Sequence, residues 1–183
     1  PWPGSRCGWL EFYNREKDSE FNRMCKVLDD AKMIEVCSTT LPQMAIPHIM
    51  GDPRYLPYRQ TKNEEIGKRS KKISEILRQV PELIVNDTFG AFYNTIVFKK
   101  DCLNNKQTLL IENSLIKEQV EEWISKPGVE LDKRFVYYLL GATGIVVVPI
   151  SSFCSDLYGF RVTILEENEE RLNYIFNTLR EKI

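Results

Sequence analysis

The stretch Gly141-Ala142-Thr143-Gly144-Ile145-Val146-Val147-Val148-Pro149 runs on through Ser152-Phe153 to Tyr158-Gly159-Phe160-Arg161-Val162-Thr163-Ile164. The first part reads as a glycine-ended helix followed by a strand over 145–148, and the second as a strand over 158–164. In a strand, successive side chains point to opposite faces. That rule puts Phe160, Val162 and Ile164 on one face and Arg161 on the other, beside Gly159 and Thr163. A charge centred in an apolar strand needs a partner. An acidic side chain or a bound anion meets that need equally well.

Working outward, helices are expected over 132–141, capped by Asp132, and over 115–126, capped by Ser114 and stopped before Pro127-Gly128. Strands are expected at 82–86 and at 91–98, where Phe92, Ile96 and Phe98 alternate with Tyr93, Thr95 and Val97. A last helix over 167–182 carries Leu172, Ile175, Phe176 and Leu179 at helical spacing. Upstream, Thr61 and Glu64 have the spacing of a capping box. They introduce a helix whose Ile66, Ile73, Ile76, Leu77 and Val80 keep one face before Pro81 ends it.

Nearer the start the signals weaken. The alternation over 7–13 reads as a strand, and Asp18 caps a helix with Phe21, Met24, Cys25 and Leu28 on one stripe. The span 38–60, punctuated by Pro42, Pro47, Gly51, Pro53 and Pro57, reads as a connector with at most short helices. The organisation is therefore α+β, with one part over about 1–60 and another over about 61–183.

Composition excludes several classes. The chain has 183 residues, 43% of them hydrophobic, with 25 Lys+Arg against 26 Asp+Glu and a net charge of −1. A compact chain of this mass keeps about 9,000 Å² of surface exposed and buries roughly 70% of its extended area. No apolar run approaches the ~20 residues of a membrane span. The balanced charge argues against a nucleic-acid-coating protein. The one basic stretch includes Lys68, Arg69, Lys71 and Lys72, lacks interleaved aromatics, and reads as a solvated helix face. Five cysteines without C-x-x-C spacing read as reduced thiols of a cytoplasmic protein, and the single His48 gives no basis for a metal site.

A second arginine stands in unusual surroundings. Arg6 lies in Pro3-Gly4-Ser5-Arg6-Cys7-Gly8-Trp9. Glycines on both sides leave room for a close ligand, and a guanidinium offers a planar fork of donors suited to phosphate or carboxylate. Taken singly, either arginine is also explained by an edge position or an acidic partner.

Pro3-Gly4-Ser5-Arg6-Cys7-Gly8 resembles the end of the lysine signature of class I/II aminotransferases, pyridoxal-phosphate enzymes with the aspartate-aminotransferase fold. The run from Gly141 to Pro149, Phe153, and Gly159-Phe160-Arg161-Val162 is similar to that family's C-terminal segment. Gly90-Ala91-Phe92-Tyr93 resembles its Gly-x-Phe/Tyr strand, and the three matches fall in the family's order. The nearest flavour is the alanine (glutamate–pyruvate) type.

The resemblance implies the small C-terminal domain of that fold over 61–183, preceded by the last strand and helix of the cofactor-binding large domain. It implies that Arg6 binds the phosphate of pyridoxal 5'-phosphate, that Arg161 holds the substrate α-carboxylate, and that Phe153 lies near the substrate. It also implies amino-acid and 2-oxo-acid substrates and a homodimer, with no nucleic-acid or membrane partner. The Schiff-base lysine belongs roughly eight positions before the phosphate arginine, upstream of Pro1. This chain is therefore expected to be a C-terminal piece, inactive alone, with no catalytic residue of its own. Two alternatives share the residues: a pyridoxal-phosphate lyase or decarboxylase on the same fold, and a non-enzymatic α+β module that binds a partner.

Overall fold

A computed structural model of the chain describes residues 3–183; Pro1 and Trp2 lie outside them. Backbone contacts divide the chain into one unit ending at Thr61 and another over Lys62–Ile183.

In the first unit, helices α1 (Ser19–Met33) and α2 (Thr40–Gly51) follow two short 3₁₀ turns. Asp18 caps α1 as expected, its carboxylate accepting from the Phe21 N–H at 2.7 Å. Two expectations fail here. Residues 7–13 form no strand, because alternation makes a strand only where another chain segment pairs with it. The proline-rich span 38–60 is mostly helical, containing α2 and the start of α3 (Tyr55–Leu77). Pro42 and Pro57 each sit in a first turn, where the missing N–H has no intrahelical partner to lose. Pro47 alone lies in a helix interior. For the same reason Thr61 and Glu64 are no capping box: the chain is already helical before they arrive.

The second unit is built on a four-stranded antiparallel sheet in the order β1-β2-β4-β3, from β1 (Leu83–Val85), β2 (Tyr93–Phe98), β3 (Val148–Pro149) and β4 (Gly159–Thr163). Helices α4 (Ser114–Ser125) and α5 (Leu131–Thr143) lie between β2 and β3 in the chain, and α6 (Glu169–Lys182) closes it. One face of the sheet, with Ile96, Phe98, Phe160 and Val162, joins a core with Ile73 and Leu77 of α3, Leu139 of α5, and Phe176 and Leu179 of α6. Burying each such side chain contributes about 1.5–3 kcal/mol. The expected α+β class stands, with strands shorter than the apolar runs that encode them.

Two caps were misplaced by the sequence reading. The α4 cap is Asn113, whose side chain accepts from the N–H groups of Leu115 and Ile116; Ser114 is already helical. Asp132 lies inside the first turn of α5 and bonds elsewhere. The basic face of α3 is not simply solvated either. Arg69 donates to the Ile164 carbonyl at 3.2 Å, and Lys62 and Lys72 pair with Glu167 and Glu169. These ion pairs tie α3 to the approach to α6. Lys62 holds the Glu65 carboxyl below its ordinary range, and Lys72 does the same to Glu169.

Candidate functional site: an arginine stacked between two rings

Strand β4 delivers Arg161 as its parity requires. Phe160, Val162 and Ile164 are buried, while Arg161 is half-buried on the opposite face. Across the sheet it stands opposite Thr95 on β2 and Val148 on β3. Its guanidinium carbon lies 4.3 Å from the centroid of Tyr93 and 4.3 Å from that of Phe153. Both distances are well inside the range of a cation–π contact. Tyr93 reaches this position from the start of β2, and Phe153 from a 3₁₀ turn over Ile150–Phe153.

Among the described residues, no carboxylate or other hydrogen-bond acceptor engages the Arg161 guanidinium. The acidic partner that would have explained this arginine is therefore not there. Two ring faces restrain a planar cation while leaving its in-plane N–H donors unoccupied. Such a fork can hold a planar anion, and a carboxylate matches it in a bidentate pair.

Behind this face the supports are dense. The Asp132 carboxylate, 0% exposed, accepts from the Ser151 hydroxyl at 2.6 Å and the Ser151 N–H at 2.9 Å, with a longer 3.4 Å contact from the Gly159 N–H. Two residues before Asp132, Glu130 accepts from the Tyr158 hydroxyl at 3.0 Å, which raises the phenol above its ordinary range. Gly159 has no space for a side chain: a Cβ there would lie 2.2 Å from the Ile96 carbonyl oxygen.

Of the residues singled out in the sequence, Arg161 and Phe153 are brought into contact. Arg6 belongs to the first unit. It is exposed, follows a 3₁₀ turn over Pro3–Ser5, and has a left-handed backbone with φ of 53°. Open space surrounds Gly4 and Gly8, and no described residue pairs with the guanidinium. Tyr93 and Asp132 were missed as site residues. The first was read only as one face of a strand, the second only as a helix cap.

These features define a class first: an α+β chain whose sheet presents a ring-stacked arginine competent for carboxylate recognition. Comparison with known proteins is then specific. Over all 183 residues the chain is 50% identical to a protein of Methanocaldococcus jannaschii named "Uncharacterized aminotransferase MJ1479", and it spans 42% of that protein's length. The chain is thus a relative of a protein named as an aminotransferase. No family model matches it. Among the described residues, no helix is long and apolar enough to cross a membrane, and no cluster of three or more His, Cys, Asp or Glu could hold a metal ion.

Proposed function

We propose that this chain forms part of a pyridoxal-phosphate-dependent aminotransferase, nearest to the alanine type, that moves an amino group between an amino acid and a 2-oxo acid. The observation that carries the reading is Arg161, stacked between Tyr93 and Phe153 with no anionic partner among the described residues. Arg161 donates to both oxygens of the substrate α-carboxylate, while the two rings fix the plane of the fork. Arg6 donates to the cofactor phosphate. When bound, pyridoxal phosphate supplies the electron sink for the carbanion at the substrate Cα.

The lysine that relays the Cα proton is assigned to a position outside residues 1–183, so these residues alone are proposed to bind and orient without turning over. A homodimer is proposed for the whole protein on the family resemblance. A lyase or decarboxylase would use the same carboxylate grip, so consumption of a 2-oxo acid in equal measure with the amino donor separates the two.

The test is Arg161→Lys in the complete protein that contains this stretch. Losing a bidentate, charge-assisted pair should lower kcat/KM for the amino donor by two to three orders of magnitude, about 3–4 kcal/mol. Cofactor absorbance should be retained. Unchanged kcat/KM would remove Arg161 from the substrate site.

A further inference from the structure

The mechanism above needs Arg161 to be held in one place, and ring stacking alone does not fix where the rings are. Phe153 lies in the segment 150–158 that, with its 3₁₀ turn, joins β3 to β4. Nearly half of Phe153 is exposed, and Cys154 beside it takes a left-handed backbone, φ 57°. Such a segment needs an anchor at each foot if its aromatic ring is to stay over a guanidinium.

Asp132 provides both anchors from a single side chain. Its Oδ1 accepts from the Ser151 hydroxyl at 2.6 Å, at the near foot. Its Oδ2 accepts from the Ser151 N–H at 2.9 Å and faces the Gly159 N–H at 3.4 Å, at the far foot. Phe153 lies two residues past the first anchor and Arg161 two residues past the second. A first-turn acid gains from the helix N-terminus while remaining exposed. Burying it completely costs free energy unless donors surround the carboxylate. The donors around this one come from the segment rather than from its own helix, as no side-chain bond caps α5.

We propose that Asp132 is the positioning residue of the carboxylate-binding arginine: it sets the spacing between Ser151 and Gly159, and so places the Phe153 ring over Arg161. The proposal rests on the reading of Arg161 as the carboxylate site, but it can be scored separately. Asp132 touches no substrate and acts only through the residues it holds.

The experiment is nitrogen–proton NMR of the arginine Nε–Hε groups in the 183-residue chain, with Arg161→Lys used to assign the Arg161 signal. A proton over two ring faces is displaced upfield from the other arginines, so the signal reports the stack directly. Propionate is the carboxylate probe. In Asp132→Ala, Arg161 is expected to lose its displacement and propionate to bind it several-fold more weakly. Asp132→Asn should keep both near the parent values, since its Oδ1 can accept the backbone N–H groups while its Nδ2 donates to the Ser151 oxygen. Should Asp132→Ala fail to fold, Asp132→Glu keeps the charge but lengthens the arm, and a partial loss of displacement is expected.

A folded Asp132→Ala or Asp132→Glu protein with the Arg161 signal unmoved would overturn the proposal. A wild-type signal displaced upfield but indifferent to propionate would instead remove the carboxylate reading. The ring displacement would then still decide the role of Asp132.

Discussion

Gly159 begins the strand that carries Arg161, and its lack of a side chain is a packing requirement. A Cβ there would also lie 3.0 Å from the Ile150 side chain and from the Val97 Cα, in addition to its clash with Ile96. Backbone cannot give way as a flexible side chain can, so β2 and β4 would have to separate. Gly159→Ala should therefore cost at least about 2 kcal/mol of stability, measured by urea unfolding of the 183-residue chain. Stability within error of the parent would show that the strands tolerate separation. At this scale the sequence was half informative. Parity alone gave the face of Arg161. Tyr93 and Phe153 as its stacking partners were not readable, because Tyr93 arrives through strand register and Phe153 through a turn. Period-two patterning says which side a residue faces, and nothing about which strand lies next door.

Elements were legible where one segment dictates itself and obscure where context decides. The helices α1, α4, α5 and α6 and the strands β1, β2 and β4 follow local periodicity closely. The expected strand over 7–13 did not form, since a strand is a property of a pair. The helices over 40–60 were hidden by prolines that are harmless in first turns. The α4 cap erred by one residue, a difference that can be measured. Asn113→Ala removes two bonds to α4 and should cost about 1 kcal/mol. Ser114→Ala should change stability by less than about 0.5 kcal/mol. Thermal unfolding of the two variants checks this, and equal losses would return the cap to Ser114. Asp132 was misread for a related reason. Its position in the first turn suggests a cap, but its bonds go to residues 19 and 27 positions away.

At the scale of the whole chain, the two units differ in how much they bury. Among the described residues up to Thr61, only Cys25 and Pro42 are buried, and Trp9, Tyr13, Met33, Ile34 and Val36 are largely exposed. The core described above belongs to Lys62–Ile183. Limited proteolysis of the 183-residue chain should accordingly cut first before Tyr55 and leave the 62–183 unit intact, as read by mass spectrometry. First cuts within β2 or β4 would contradict this. The order of strands has a further consequence. β2 finds its central neighbour only after the sixty residues 99–158 have passed. On a ribosome adding about 5–20 residues per second, that is a wait of about 3–12 s. Throughout it the β1–β2 hairpin has an open hydrogen-bonding edge, and Ile96 and Phe98 lack the Phe160, Val162, Phe176 and Leu179 side chains of the finished core. The nascent protein is most vulnerable to aggregation in that interval, which ends when β4 emerges and docks.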